Sequence, residues 1–600
     1  MSKKMPEFLS EPPVSGQGIG ELCVMVSHGE RISDSISNKI RRISDENQWR
    51  WVEHGQSFAG IVRGDVAVNQ LDDSIKLSLE IVLDDSGGTK KTPNYLHLTW
   101  TPSTGELRVD GDPFRRYPLY YHSSGKALFL STSLLMLTST FGVAGSVSPG
   151  VIYDYLNFGF VPAGESVFEG IKKTTIGTNY LWRQGKEHFS AGWLPEFSED
   201  LTGTEADLEQ LLFEEIEQTV SRYCPEGRDD WGAFNSGGTD SAAISGILSR
   251  ATSRQVNSFS IGFDEDQFDE LEYARLAEKK FGLKGHYKIV TANDALEAMP
   301  NILAAYDEPF GNSSAVATYF CAKLAKENGV SLMVAGDGGD EIFGGNTRYA
   351  KNKLFSIFHA MGPLLQSPFR GLAKISSSMD SRLANRITNF VHRGSLPNPE
   401  RLYSDDSFAS DVFDELFDSA FAKKLTRESS LDRVREIFDR APTDTELHKL
   451  MFVDQLLAVG VNDLTKVNSA AQQAGVSVVY PYLDPHLVNF AGRLPEKWKV
   501  KNFKTRYLYK RAMRRVLPDE ILNKTKHGFA LPIGNWISSH QGFRELFHDA
   551  VFDSKSLSSE IFQRSFIESL LTRHDQNAWD FSGELWSILM LELWHQRTAS

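Results

Sequence analysis

The sequence predicts two structural parts, a β-rich amino-terminal region followed by an α/β region that contains a parallel sheet. Short apolar runs separated by turn residues dominate residues 1–195. After a polar stretch at 196–207, apolar strands alternate with amphipathic helices, a pattern typical of a parallel sheet covered by helices. From about residue 350 onward, the amphipathic segments predict mostly helix.

The composition is that of a soluble globular protein, with 41% hydrophobic and 24% charged residues among 600. The 64 Lys and Arg residues against 78 Asp and Glu residues give a formal net charge of −14, which argues against a nucleic-acid partner. No apolar run is long enough for a membrane span, so we expect no membrane partner. Three separated cysteines (Cys23, Cys224 and Cys321) and the lack of a signal peptide predict a cytoplasmic location.

The amino-terminal region contains four strand-like runs, at 21–27, 95–100, 126–131 and 178–183. A short helix is predicted among them at 149–159. The polar stretch 196–207 is expected to link the two parts of the chain.

The carboxyl-terminal region begins with an amphipathic helix predicted at 205–223, whose apolar residues recur at helical spacing: Leu208, Leu211, Leu212, Ile216 and Val220. It is followed by strands at 231–234, 256–263 and 331–336. Helices are predicted at 240–250 and 269–281.

The segment SGGTDS, residues 236–241, follows the first of these strands and begins a helix. Glycines let the backbone approach a ligand closely, and a helix amino terminus offers unpaired N–H groups to an anion. The hydroxyl groups of Ser236, Thr239 and Ser241 add donors, so we expect a phosphate or pyrophosphate site. The segment matches neither GxxxxGK[ST] nor GxGxxG. The structural alternative is a capped turn that binds no ligand.

The segment GDGGDEIFGG, residues 336–345, follows the strand at 331–336 and places Asp337, Asp340 and Glu341 among glycines. Ligands of parallel sheets bind beyond the carboxyl ends of the strands, where both segments fall. Carboxylates beside a phosphate repel it unless a divalent cation lies between them, and Mg²⁺ typically takes one or two carboxylates plus phosphate oxygens. We therefore predict a Mg²⁺ site at Asp240 and Asp340, with an acidic surface turn as the alternative.

These two segments resemble motifs of the class B asparagine synthetase family. Four further segments resemble the family in the same order, at 258–282, 307–320, 462–484 and 523–536. The resemblance covers most of the chain. It implies an α+β amino-terminal domain of the Ntn-hydrolase-like β-sandwich type at 1–195, a linker at 196–207, and an α/β domain at 208–600 with the parallel sheet of pyrophosphate-loop ATP ligases.

The resemblance also implies roles for individual residues. ATP is expected to contact Asn235, Ser236, Gly237, Gly238, Thr239, Asp240, Ser241, Ile261, Ala335 and Gly336, and Mg²⁺ to be held by Asp240 and Asp340. Lys526 matches a lysine that stabilises charge on the reacting centre, although by itself it is also consistent with an exposed lysine at a helix end. Asp337 is expected to contact or deprotonate the incoming amine. Glu308, Ser313 and Ser314 are the expected substrate contacts. Asn235 occupies a position where the family more often has an apolar residue.

The amino-terminal region resembles the glutaminase domain of the family at 109–137 and 156–182. A working glutaminase of this class uses the thiol of an amino-terminal cysteine. This sequence begins Met-Ser-Lys-Lys, and Cys23 lies within an apolar run. The asparagine–glycine loop that binds glutamine in relatives is also absent. We therefore expect a degenerate glutaminase-like domain with Cys23 in its core.

The implied activity is an ATP- and Mg²⁺-dependent ligase that adenylates a substrate carboxylate, releases pyrophosphate and joins the acyl group to an amine. Without a glutaminase, the amine is expected on the substrate itself, a small molecule or a peptide. The most specific interpretation is a macrolactam cyclase of the lasso-peptide type. The alternatives are a β-lactam synthetase, an asparagine synthetase that uses ammonia or external nitrogen, and a nucleotide-binding pseudoenzyme scaffold. The acidic charge disfavours a tRNA-modifying enzyme. A protein partner that delivers a precursor and an oligomeric state both remain open.

Overall fold

The computed structural model describes residues 21–28, 32, 34–46, 49–81, 83, 93–143, 145–265, 271–376, 382–524, 531–576 and 579–599. Within these ranges the chain forms three β-sheets and a large helical region. No helix in the described ranges has both the length and the apolar character needed to cross a membrane.

The described strands are β1 (Glu21–Ser27), β2 (Arg50–His54), β3 (Phe58–Arg63), β4 (Val66–Leu71), β5 (Ser74–Ile81), β6 (Asn94–Thr101), β7 (Glu106–Gly111), β8 (Tyr120–Ser124), β9 (Ala127–Ser131), β10 (Lys172–Lys173), β11 (Thr178–Arg183), β12 (Lys186–Ala191), β13 (Trp231–Phe234), β14 (Asn257–Phe263), β15 (Lys284–Val290), β16 (Leu332–Val334) and β17 (Ser477–Val479).

The first nine described α-helices are α1 (Asp34–Glu46), α2 (Leu134–Phe141), α3 (Pro149–Phe158), α4 (Glu205–Arg222), α5 (Thr239–Ala251), α6 (Leu271–Phe281), α7 (Ala292–Ala304), α8 (Ser314–Glu327) and α9 (Gly339–Phe343). The next group comprises α10 (Thr347–Ala360), α11 (Gly362–Ser376), α12 (Arg382–Ser395), α13 (Glu400–Tyr403), α14 (Phe408–Asp411), α15 (Phe413–Leu416), α16 (Ser419–Ala422), α17 (Ser429–Asp439) and α18 (Glu446–Val453).

A π-helical stretch, Asp454–Asp463, continues α18 into α19 (Leu464–Gln473), and a 3₁₀ turn follows at Pro481–Leu483. The remaining helices are α20 (Pro485–Arg493), α21 (Glu496–Lys499), α22 (Tyr507–Met513), α23 (Asp519–Leu522), α24 (Ile533–Ser539), α25 (Gln541–Val551), α26 (Leu557–Ile561), α27 (Arg564–Asp575) and α28 (Ser582–Ala599).

The amino-terminal region forms two antiparallel six-stranded sheets that face each other. Their strand orders are β10-β8-β9-β1-β3-β2 and β12-β11-β7-β6-β5-β4. One buried cluster joins Leu22 and Val24 of the first sheet to Leu77, Leu98 and Trp100 of the second, because alternate residues of each strand point to the same side. The four strands and the short helix predicted here are confirmed as β1, β6, β9, β11 and α3.

The opposite face of the first sheet carries Cys23 and Met25, which belong to a different buried cluster from their neighbours in β1. Leu134 and Leu137 of α2 belong to the same cluster, and it extends into the carboxyl-terminal region. The two parts of the chain therefore share one continuous apolar core on this side of the sheet.

The carboxyl-terminal region contains the predicted parallel sheet, with five strands in the order β15-β14-β13-β16-β17. The chain adds β14 and β15 on one side of β13 and then β16 and β17 on the other. The strand order therefore reverses between β13 and β16, and the crevice beyond their carboxyl ends is where such sheets bind ligands. The segments 236–241 and 336–345 begin just beyond the carboxyl ends of these two strands.

The sequence-predicted strands and helices of this region are present with small changes at their ends. The amphipathic helix begins at Glu205 because Thr204 and Asp207 form a reciprocal capping box, and Leu211 is 38% exposed instead of joining the core. The strand predicted at 331–336 contains only Leu332–Val334. β15 and β17 were not predicted from the sequence.

Candidate active site

A cavity of about 360 Å³ lies where the turns after β13 and β16 meet. The predicted ATP and metal residues that line it are Asn235, Ser236, Gly238, Thr239, Asp240, Ser241, Ile261, Gly336 and Asp340. Asp337 and Ser314 line the same cavity. The fold thus brings together residues that are up to about 100 positions apart in the sequence, because β13 and β16 are neighbours in the sheet.

The turn after β13 depends on glycine at position 237, whose φ angle is +68°. A Cβ atom there would lie 2.6 Å from Cβ of Tyr273 and 2.7 Å from the backbone nitrogen of Ala274, both on α6. The amide of Asn235 donates to the carbonyl of Ala274 at 3.1 Å, and its Oδ1 accepts from the Gly237 N–H at 3.4 Å. The polar residue at 235 therefore ties the turn to α6.

Helix α5 begins directly after this turn and points its amino terminus into the cavity. Gly238 is the N-cap, and no side chain caps it. The Ser236 hydroxyl accepts from the Gly238 N–H at 3.3 Å and lies 3.1 Å from the Ser241 hydroxyl. Because the first N–H groups of an α-helix have no partner within the helix, this end can bind an anion such as a phosphate.

Asp240 and Asp340 converge on one cation, the guanidinium group of Arg506. The Arg506 Nη1 and Nη2 atoms donate to the two carboxylate oxygens of Asp240 at 2.9 and 2.6 Å, and Nη2 also donates to Asp340. Gly339 permits this approach, since a Cβ atom on it would lie 2.8 Å from Cγ of Asp240. Each side chain is less than one-fifth exposed, so the carboxylates need a positive charge between them.

This arrangement fits Mg²⁺ bound together with a phosphate-bearing ligand. The guanidinium group already shows that the two carboxylates can share one cation. The described residues contain no cluster of three or more His, Cys, Asp or Glu side chains that could hold a metal ion by themselves. Two carboxylates completed by phosphate oxygens are the ligand set that Mg²⁺ often uses.

A second charged group in the cavity consists of Asp337, Asp463 and Lys466. The Lys466 Nζ atom lies 3.0 Å from Asp463 and 3.8 Å from Asp337. Burial raises the pKa of Asp337, while the nearby ammonium group acts in the opposite direction. Although burial opposes it, the two carboxylates raise the pKa of Lys466 above its ordinary value, so this lysine stays protonated at neutral pH.

Arg506, Asp463 and Lys466 were not predicted as site residues from the sequence. Asp463 and Lys466 occur within the family-like segment 462–484, so that segment carried a usable signal. Asp463 also ends the π-helical stretch Asp454–Asp463, a distortion that is frequent at functional sites. No local sequence motif marks Arg506. It lies 166 residues from Asp340 in the sequence, and only the fold brings it to the site.

The remaining predicted site residues lie elsewhere. Gly237 and Ala335 support the turns without lining the cavity, and Ser313 is the N-cap of α8 beside the cavity-lining Ser314. Lys526 lies outside the described residues.

Glu308 lines a separate cavity of about 1470 Å³ between the two parts of the chain. Its carboxylate accepts from Lys173 Nζ at 2.6 Å, from the Val167 N–H at 2.9 Å and from the Tyr120 hydroxyl at 3.2 Å. All three partners belong to the amino-terminal region. The contacts of Glu308 therefore connect the two regions. Neither Glu308 nor any of its three partners lines the cavity that contains Asp240.

Cys23 is fully buried in β1, and its thiol lies 3.9 Å from the carbonyl oxygen of Met136. Burial raises its pKa to about 12, which leaves almost no thiolate at neutral pH. Cys224 and Cys321 are also buried. Burial also raises the pKa of Cys321, and none of the three thiols is exposed as a nucleophile must be.

Comparison with known proteins places this site within a family. The family model described as asparagine synthase matches residues 212–596, well over half of the chain and including every cavity-lining residue named above. Asparagine synthetase [glutamine-hydrolyzing] 1 of Bacillus subtilis (strain 168) is 23% identical over 528 residues, which cover 85% of this chain and 78% of the relative.

Further relatives include proteins of Mycobacterium tuberculosis and Penicillium rubens. A putative asparagine synthetase [glutamine-hydrolyzing] of Mycobacterium tuberculosis (strain ATCC 25618 / H37Rv) is 25% identical over 513 residues, which cover 84% of this chain and 76% of the relative. Amidase chyE of Penicillium rubens is 20% identical over 389 residues, covering 57% and 55%. Relatives of this kind support an ATP-dependent amide ligase in general terms. The chain belongs to the asparagine synthase family.

Proposed function

We propose that the protein is an ATP- and Mg²⁺-dependent ligase that adenylates a substrate carboxylate and couples it to an amine present on the same substrate. One observation carries this proposal. The helix amino terminus at 238–241 and the carboxylates of Asp240 and Asp340 face the same cavity at the point where the strand order of the sheet reverses. An anion site beside a cation site suits a nucleoside triphosphate bound with a divalent cation.

In the first step, a carboxylate oxygen of the substrate attacks the α-phosphorus of ATP, and the bond to the pyrophosphate oxygen breaks. The turn at 236–241 holds the departing pyrophosphate through N–H and hydroxyl donors. Asp240 and Asp340 would hold Mg²⁺, which supplies positive charge to the phosphate oxygens. Arg506 lies between these carboxylates in the structure, so its guanidinium group would compete with the metal ion for them.

In the second step, the amine nitrogen attacks the acyl carbon, and AMP leaves with the electron pair of the broken carbon–oxygen bond. The nitrogen loses a proton as the amide forms. Asp337 is the proposed acceptor of this proton, because it lines the cavity and burial raises its pKa. Lys466 holds the carboxylate in place at 3.8 Å.

The proposal that the substrate supplies its own amine follows from the cysteines. Release of ammonia from glutamine in this class requires an accessible, reactive thiol. Cys23, Cys224 and Cys321 are all buried, so the described residues offer no such group. A peptide macrolactam remains our specific proposal. The alternatives are β-lactam formation and asparagine synthesis with ammonia or external nitrogen.

The test is pyrophosphate release from ATP and Mg²⁺ with different acceptors supplied separately. We expect release with a substrate that bears both a carboxylate and an amine. Release with aspartate and ammonia would instead support asparagine synthesis, and release with glutamine and aspartate would contradict the missing glutaminase. ATP binding without release with any acceptor would favour the scaffold alternative.

The Asp240→Ala variant is expected to lose pyrophosphate release by at least about a hundredfold, because one carboxylate of the cation site is gone. Asp229→Ala is the matched control, since Asp229 is an 85% exposed surface carboxylate paired with Arg254. Circular dichroism checks that both variants fold. A folded Asp240→Ala protein with full release would refute the role of Asp240 in binding Mg²⁺.

A further inference from the structure

Large apolar side chains are exposed in one short segment of the helical region. Twelve such side chains are exposed in the described part of the chain, and six of them lie within residues 354–369. We call these six the apolar face: Leu354, Ile357, Met361, Leu364, Leu365 and Phe369. Leu364 is 88% exposed. Contiguous exposed apolar groups of this kind mark interaction sites.

The apolar face is not a part of the core that the fold has failed to cover. Helix α10 buries Phe355 and Phe358 on its inner side, where Phe358 packs against Phe390 of α12 with ring centroids 5.4 Å apart. Leu354, Ile357 and Met361 recur at intervals of three and four residues on a different side of the helix. The three helices α10, α11 and α12 therefore share a small core of their own, and a second apolar side faces solvent.

The charge of this segment is opposite to that of the chain. Residues 342–399 contain eight Lys and Arg residues and one acidic residue, Asp380, whereas the whole chain carries −14. Lys351 and Lys353 are exposed and precede Leu354 and Ile357 by about one helical turn. Exposed leucines and phenylalanines beside lysines are typical of helices that lie in the surface of a membrane.

We propose that the apolar face binds an anionic lipid surface, with Lys351 and Lys353 contacting head groups and Leu364 and Leu365 entering the acyl boundary. The acidic remainder of the chain is repelled by such a surface, so contact is limited to this segment. A helical protein partner is less suited, because it needs an apolar groove, and neither cavity described above includes a residue of the apolar face. This proposal departs from the expectation of no membrane partner, which rested on the lack of an apolar run long enough to span a membrane.

The test is flotation of the full-length protein with vesicles in a density gradient. Vesicles contain either phosphatidylcholine alone or equal amounts of phosphatidylcholine and phosphatidylglycerol. We expect flotation with the anionic vesicles only, weakened by salt. Leu364→Ser/Leu365→Ser and Lys351→Glu/Lys353→Glu should each reduce the bound fraction by at least about tenfold.

Leu71→Ser/Phe189→Ser is the matched control, because these side chains are 70% and 55% exposed on strands of the amino-terminal region. It should float like the unchanged protein. Absence of flotation of the unchanged protein, or equal flotation of the Leu364→Ser/Leu365→Ser variant, would overturn the proposal. Light scattering gives an independent outcome: a dimer that this variant converts to a monomer, without vesicle binding, would show that the face joins two copies of the chain instead.

Discussion

Lys499 is a charged residue enclosed in the core without a hydrogen-bond partner. It is 2% exposed, and its Nζ atom lies 5.4 Å from the centre of the Phe197 ring. Burial lowers the pKa of Lys499 to about 7, with only partial compensation from Glu199. His448 is also buried. Its burial and the nearby Lys499 lower the pKa of His448 to about 2, so this histidine is neutral in the folded protein.

Lys499 therefore makes stability depend on pH. Its pKa is about 7 in the folded protein and near its ordinary value of 10.5 in the unfolded chain. Between these values the unfolded chain binds more protons, so the contribution of Lys499 to stability improves as pH rises. We expect Lys499→Met to raise the free energy of unfolding at pH 7 by about 2–4 kcal/mol, and this gain to shrink towards pH 10.

Urea unfolding of both proteins across this pH range measures the difference. Lys501→Met is the control, because Lys501 lies two residues away but is partly exposed and paired with Glu205 at 2.7 Å. Its effect on stability should not decline over this range in the same way. A Lys499→Met gain that stayed constant with pH would show that Lys499 does not lose its proton on folding.

At the scale of the element, the turn between β13 and α5 tests how the fold builds its anion site. Gly237 and Gly282 both have positive φ angles, +68° and +66°. Only at Gly237 would an added Cβ atom meet other atoms, since nothing lies within 4 Å at Gly282. We expect Gly282→Ala to cost about 1 kcal/mol from backbone strain alone. Gly237→Ala should cost more and also abolish pyrophosphate release.

Thermal unfolding and the pyrophosphate assay, applied to both variants, separate the two effects. Equal losses of stability with unchanged release in Gly237→Ala would mean that the turn can move away from α6 without consequence for the site.

The elements that were predicted from sequence are those with a strong local pattern. β13 is a short apolar run before a glycine turn, β14 alternates serine with apolar residues before an acidic turn, and α4 has a clear helical repeat. β15 was missed because KGHYKIV mixes polar and apolar residues, six of which are not buried. β17 has only three residues, and it becomes a strand by pairing with β16.

The candidate site was predictable to the extent that its residues follow strands in recognisable turns. Asp240, Asp337 and Asp340 do so, and all three line the cavity. Arg506 was not predictable, because no turn or repeat marks it and its partners are set by tertiary packing. Glu308 was predicted as a substrate contact from the family-like segment 307–320, but its contacts in the structure are with the amino-terminal region.

At the scale of the whole molecule, Arg116 connects the two parts of the chain. Its buried guanidinium donates to Leu483 O at 3.0 Å in the carboxyl-terminal region and to Asn94 Oδ1 at 2.9 Å in its own. Asn94 in turn donates to the Val478 carbonyl at 2.8 Å. The amino-terminal region is thereby bound to the strand β17 and the turn that follows it.

Arg116→Met should weaken this connection, because it removes the donor to the Leu483 carbonyl and the guanidinium group that lies 3.7 Å from the buried Asp112 carboxylate. We expect a loss of about 3 kcal/mol and the separation of one calorimetric transition into two. Arg183→Met is the control, since Arg183 forms a half-exposed surface pair with Glu106 and should cost less than about 1 kcal/mol. A single transition at the original temperature would show that the two regions do not depend on Arg116.

The guanidinium group between Asp240 and Asp340 has a consequence for affinity. An incoming metal ion meets a position that the protein already fills with its own positive charge, so the two cations compete. The apparent affinity of the site for the metal ion is therefore lower than the affinity that the two carboxylates would have without Arg506. Removing the arginine's charge, for example by Arg506→Gln, would uncover that intrinsic affinity, just as removing a bound competitor does for any receptor.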